Sequence, residues 1–324
     1  MYGAKSNKLQ TWLDGIKYRK LIACIRKKEY HKIPKELLTP IVFIRPVGKT
    51  TILGLLFESG GKLSDLPELN TSIALPQDIN TRASILSIAT SYKKLHEIPA
   101  GLYSKETLAC IPSPPVIAGE VYSGKCGEWF LHYTTLELIA AAGELHQIPQ
   151  TLRNEEVFGA AKELSRRGFL QIATWAGQLE YVPKQWLVEY TNTKNVEYNL
   201  LHIATKHHQL HTVPKFLITE QKLLEPDFVH DYGTVFHHAA AEKQLRVLPQ
   251  EFVLKNLMLW DHKRKSTVFD EVIKSESPDQ LLGLELPDIF RMATGNTWWE
   301  KNANILKGRS QLITKSEVPT MEIF

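Results

Sequence analysis

The sequence predicts an all-α fold: a helical repeat solenoid of about seven to eight units with one β-hairpin-like insertion. Three observations predict it. First, a short phrase recurs, as YHKIPKELLT at 30–39, LHEIPAGLYS at 95–104, LHQIPQTL at 145–152, LHTVPKFLIT at 210–219 and LRVLPQEFVL at 245–254. Second, its prolines (34, 67, 99, 149, 183, 214 and 249) are separated by 33, 32, 50, 34, 31 and 35 residues, so one interval alone departs from a period near 33. A fixed period of this size marks stacked repeats, whose faces are buried only against their neighbours. Third, apolar residues keep the same offset from each proline. Four positions before it stand Tyr30, Leu63, Leu95, Leu145, Leu179, Leu210 and Leu245.

Taken in order along one unit, the upstream half reads as a helix. Leu21, Leu86, Leu136, Leu170, Leu201 and Phe236 lie thirteen residues before the proline, with Leu53 matching after a one-residue shift. Small residues (Cys24, Ala89, Ala173, Ala204 and Ala239) lie ten before it. Offsets of −13, −10 and −4 share a helical face, and small residues let neighbouring helices approach. The residue before proline prefers an extended backbone, so the first helix is expected to run to that point. Proline then suits the first turn of a second helix. Thr39, Ser104 and Thr219, five residues past the proline, are placed to cap a further short helical turn. A weaker eighth unit is expected to centre on Leu286-Pro287.

Upstream of the proline, the units TVFHHAAAEKQL (234–245), NLLHIATKHHQL (199–210) and SILSIATSYKKL (84–95) resemble the ankyrin consensus T-P-L-H-x-A. The second half, I-P-x-x-L-L-T, resembles a divergent ankyrin-like variant found in bacterial repeat proteins. The resemblance spans about residues 16–275, although the proline of T-P-L-H is absent throughout. It implies a binding scaffold with an extended concave surface rather than a catalyst. It also implies that His202 and His237 make structural hydrogen bonds between repeat loops. The expected organisation is an N-terminal extension (1–15), an ankyrin-like solenoid (16–290, with the insert at about 110–133) and a C-terminal capping helix and tail (291–324).

Three segments break the pattern. The 50-residue interval carries extra sequence near 111–134, where two β-prone runs flank Ser123-Gly124-Lys125-Cys126-Gly127 and read as a hairpin. Tyr122, Lys125, Trp129 and Tyr133 are its candidate partner contacts; alternatively the hairpin folds back over a degenerate unit. In the N-terminal 35 residues, ten basic residues face two acidic ones, a balance of +8 in a chain that totals +4. Arg19, Lys20, Arg26, Lys27 and Lys28 lie off the buried stripe of Leu21, Cys24 and Ile25. They are candidates for nucleic-acid phosphates or an acidic protein surface, or else form a solvated capping face. In the tail, Trp298 and Trp299 cannot share one helix face. One is expected to cap the last repeat and the other to meet a partner; alternatively the pair is a simple hydrophobic cap.

Other chemistry is weakly signalled. Gly48-Lys49-Thr50-Thr51 is similar to the end of a phosphate-binding loop, but that motif needs glycine where Phe43 stands. His207 and His211 have the i, i+4 spacing of a helical metal pair. Cys126, near His132, lacks a visible activating base. No catalytic, metal or cofactor site is therefore expected. Hydrophobic residues make up 43% and charged residues 23%, which is ordinary globular usage. No apolar run reaches about 18 residues, so no membrane span is expected. The first twenty residues lack the apolar core of a secretory signal, and three cysteines cannot build a disulfide framework; both favour the cytoplasm. The expected function is protein binding, as an adaptor, inhibitor or regulatory subunit; nucleic-acid binding through the basic N-terminal unit is the alternative.

Overall fold

The recurring phrase folds the same way along the chain because one backbone position punctuates it. Six residues before the proline, Lys28, Lys93, Gly143, Gly177, His208 and Lys243 adopt left-handed φ values between 54° and 78°. A left-handed residue cannot continue a right-handed helix, so the helix stops there. Before Pro249, for example, helix Val235–Ala241 ends as the Gln244 amide bonds the Ala239 carbonyl at 2.7 Å and the Lys243 amide bonds the Ala240 carbonyl at 3.3 Å. A 3-10 turn, Leu245–Val247, follows, and Leu248 is extended before the proline. The helix thus ends earlier than proline alone predicts. The leucine four places before the proline sits on the 3-10 turn, yet it is buried there: Leu63, Leu95, Leu145, Leu179, Leu210 and Leu245 are at most 1% exposed.

Beyond the proline the chain takes one of two courses. After Pro34, Pro99, Pro149 and Pro214 it makes a second 3-10 turn. A short helix then starts six residues past the proline. Ser104, Asn154 and Thr219 cap three of these helices, accepting from the amides of Thr107 (3.2 Å), Val157 (3.1 Å) and Lys222 (3.4 Å). Thr39 holds the equivalent place without a side-chain cap bond. At Pro67, Pro183 and Pro249 an α-helix begins at or directly after the proline.

The computed structural model describes residues 3–47, 50–74, 78–112, 133–164, 168–192, 200–226 and 233–281. It is mostly helical, and the chain divides into two compact parts, Met1–Lys194 and Asn195–Phe324. The first contains α1 (Gly3–Arg26), α2 (Pro40–Phe43), α3 (Ile52–Glu58), α4 (Pro67–Ala74), α5 (Ile79–Ser91), α6 (Lys105–Ala109), α7 (Thr135–Ala141), α8 (Glu155–Leu164), α9 (Phe169–Trp175) and α10 (Lys184–Asn192). A two-stranded hairpin, β1 (Pro46–Val47) with β2 (Thr50–Thr51), precedes α3. Helix α1 packs on α3, α3 on α5, α5 on α7 and α7 on α9, with α6 against α8. The seam is built from Leu21, Leu53, Leu86, Leu136 and Leu170, all buried. Each such leucine contributes roughly 2 kcal/mol by leaving water. Phe158, Phe169 and Trp186 close this part with ring centroids 5.0–6.0 Å apart. The expected N-terminal extension, 1–15, runs into α1 without a break at 15.

The second part contains α11 (Leu200–Lys206), α12 (Glu220–Leu224), α13 (Val235–Ala241), α14 (Gln250–Asn256) and α15 (Val268–Lys274), with a hairpin of β3 (Trp260–Asp261) and β4 (Ser266–Thr267). Helix α11 packs on α13 and α13 on α15 across Ala204 and Ala239, both fully buried. Glu276 is left-handed, as Lys243 is, and a 3-10 turn follows at Pro278–Leu281. Leu286-Pro287, on which a weaker eighth unit was expected to centre, lies outside the described residues. Among the described residues no helix is long and apolar enough to cross a membrane.

Candidate partner-binding surface

Buried and half-buried polar side chains join one phrase to the next. Gln178 accepts the Leu145 amide at 3.2 Å, and Glu97 accepts the Leu63 amide at 3.0 Å. In the second part Gln280 accepts the Leu245 amide at 3.2 Å and donates to the Ala240 carbonyl at 3.0 Å. Gln244 donates to the Thr205 carbonyl at 2.6 Å, the same position one phrase earlier. His202 Nε2 meets the Glu225 carbonyl at 2.9 Å and His237 Nε2 the Leu259 carbonyl at 3.1 Å, so each ring pins the loop 22 or 23 residues downstream. Burial pushes the His237 pKa down, keeping the ring neutral. Gln178 and Gln244 escaped the sequence reading, although glutamine directly preceding the −4 leucine in 178–179, 209–210 and 244–245 was their signal.

Glu144 occupies that glutamine position in the phrase of Pro149. It is 7% exposed, and its Oε2 lacks a hydrogen-bond partner. Burial lifts its pKa to about 7 against the opposing charge of Lys93.

The basic face of α1 is where the sequence placed it. Leu21, Cys24 and Ile25 are buried, while Arg19, Lys20, Arg26, Lys27 and Lys28 are exposed. None of these five forms an ion pair with a described carboxylate. Nearby, Lys32 pairs with Glu29 at 2.9 Å and Lys35 with Glu68 at 3.0 Å. Arg45 stacks over Tyr18, 4.8 Å from the ring centre.

A second basic surface, not singled out by the sequence reading, is the β3–β4 hairpin. Trp260 is 49% exposed and Met258 40%. His262, Lys263 and Lys265 are exposed in the turn between the strands. Arg264 folds inward, 3.3 Å from His238 Nδ1 and across Gly233, where a Cβ would fall 2.7 Å from the Arg264 Nε. The signal available in the sequence was the basic run His262-Lys263-Arg264-Lys265 directly after Trp260-Asp261.

Tyr122, Lys125, Trp129, Trp298 and Trp299 lie outside the described residues, as do Gly48, Lys49, Cys126 and His132. Tyr133 is buried at the start of the chain's return from that interval. Thr50 and Thr51 serve the local fold: Thr50 bonds Tyr92 at 2.7 Å, and Thr51 caps α3 by accepting the Gly54 amide at 3.0 Å. His207 and His211 do not share a helix face, because α11 ends at Lys206 and His211 lies on the following 3-10 turn. Compared with known proteins, the chain matches no family model, no curated protein and no solved structure.

Proposed function

We propose that this chain is an ankyrin-like helical solenoid of seven to eight repeats that binds another protein in the cytoplasm. It would act as a non-catalytic adaptor, inhibitor or regulatory subunit. The observation that carries this reading is the recurrent use of His202 and His237. Each stands at the histidine of the T-P-L-H-like phrase and holds a loop carbonyl of the following stretch. Supporting it, the side chains of Gln178, Gln244 and Gln280 hydrogen-bond backbone groups of the preceding phrase. Side chains so used build a stiff scaffold, and a stiff scaffold presents its loops at low entropic cost to a partner.

The test is affinity purification from the native cell, with and without nuclease. A stoichiometric protein that survives nuclease is expected. A second reading, nucleic-acid binding, is favoured by the exposed face of Arg19, Lys20, Arg26, Lys27 and Lys28. It expects recovery of nuclease-sensitive nucleic acid, with affinity falling steeply with salt and on charge reversal at Arg26, Lys27 and Lys28.

A further inference from the structure

The geometry points to the β3–β4 hairpin as a docking finger for an acidic protein segment that carries an apolar anchor residue. This inference rests on the protein-binding reading and gives it a place and a partner chemistry.

The charges of the hairpin are sorted by side. Its carboxylates turn inward. Asp261 accepts the amides of Lys263 (2.8 Å) and Arg264 (3.3 Å) through Oδ1, and its side chain is 9% exposed. Asp270 is taken up by the capping box with Thr267, accepting its amide at 2.8 Å. Glu271 accepts from Ser266 and pairs with Lys274 at 2.8 Å. Lys263 and Lys265 face outward beside His262. The turn His262-Lys263-Arg264-Lys265 carries three cations and no acid, and a carboxylate-bearing partner complements it.

Apolar surface precedes those charges in the chain. Trp260 and Met258, 49% and 40% exposed, sit two residues apart at the base of the turn. Tryptophan supplies large contact area at low entropic cost and is enriched among residues that dominate binding. The hairpin is also held in one shape from beneath. His237 holds the Leu259 carbonyl, the Phe269 amide bonds the Leu257 carbonyl at 2.9 Å, and Arg264 lies across Gly233. A finger already ordered before binding loses little freedom when it docks.

The same features disfavour a nucleic-acid site here. Tight phosphate binding draws on about six to ten basic contacts. The tip offers Lys263 and Lys265 outward, with Arg264 committed to the interior.

The experiment is selection of a random 16-residue peptide display library against the full chain. The enriched peptides are then synthesised and measured by fluorescence anisotropy on the wild type, Trp260→Ala, Trp260→Phe, Lys265→Glu and Arg26→Glu. Enriched peptides are expected to carry Asp or Glu beside an apolar residue. Trp260→Ala and Lys265→Glu are each expected to weaken them at least tenfold, while Trp260→Phe retains most of the affinity and Arg26→Glu all of it. If peptides bind the variants as tightly as the wild type, or show no acidic bias, the hairpin assignment falls and the scaffold reading stands. If no peptide is enriched and no protein is recovered from the cell, both fall. If an oligo-dT probe binds and is lost on Trp260→Ala while no acidic peptide does, the finger belongs to nucleic acid and the inference is overturned.

Discussion

Gln280 and Leu245 are bound as if neighbours, although 35 residues separate them: one carboxamide takes the Leu245 amide through Oε1 and the Ala240 carbonyl through Nε2. Both bonds are buried, so removing the side chain strands a donor and an acceptor away from water. Gln280→Leu is expected to destabilise the chain by about 1–3 kcal/mol, the cost of leaving such groups unpaired. Urea denaturation followed by circular dichroism reads this directly. An unchanged midpoint would mean that water replaces the carboxamide.

Glu144 stands where Gln178 and Gln244 stand in later phrases, with Lys93 and the Tyr103 hydroxyl as its charged and titratable surroundings. Its folded pKa, about 7, exceeds the unfolded value of 4.5, so the folded chain holds the extra proton between these two values. Stability should accordingly fall as pH rises from 4.5 to about 7 and level off above. Glu144→Gln is expected to remove that decline and add up to roughly 3 kcal/mol at pH 8. Parallel stability curves for the two proteins across this range would refute the assignment.

His237 carries the opposite sign. A carbonyl only accepts, so Nε2 bears the proton toward Leu259, and Nδ1 accepts the Thr234 hydroxyl at 2.8 Å. Burial depresses the folded pKa below 6.5, so the unfolded chain gains its proton first as pH falls. The stability held above pH 6.5 is then lost downward through the folded pKa. Hydrogen exchange, corrected for intrinsic rates, should show the amides of Val268 and Phe269 less protected at pH 5.5 than at pH 7.5. In His237→Gln this difference should shrink.

Lys243 holds φ at 62° with an exposed side chain. Gly143 and Gly177 fill the same place elsewhere without a Cβ to strain. Lys243→Gly is expected to stabilise the chain by about 1 kcal/mol, the left-handed penalty of a side chain, partly offset by the freedom glycine adds to the unfolded state. Thermal unfolding measures it, and a lowered midpoint would show that the offset wins.

The helices and their buried seam were legible because proline spacing and apolar offsets are strong periodic signals. Leu21, Leu86, Leu136, Leu170, Leu201 and Phe236 are all buried as their offsets predict. The helix ends were misjudged because the terminator is a left-handed residue, and Lys28, Lys93, His208 and Lys243 do not announce that conformation as glycine does. The hairpin surface was hidden by its length: two residues per strand leave no alternation to detect. The basic face of α1 could be read from charge alone, since exposed cations need no partner to be recognised.

The Cys110 carbonyl accepts both the Thr135 amide at 2.8 Å and the Thr135 hydroxyl at 3.1 Å. The Cys110 carbonyl and Thr135 therefore form one backbone junction, with Tyr133 and the α7 cap Thr134 already part of the packed fold on its far side. Such a junction is a splice point: a change of length confined to the sequence between Pro112 and Tyr133 would leave the described frame on either side intact. Each doubling of that segment costs about 0.6 kcal/mol of closure entropy. A foreign recognition loop grafted there would be carried by the stack as a passenger, making this the natural point at which to re-address the protein to a new target.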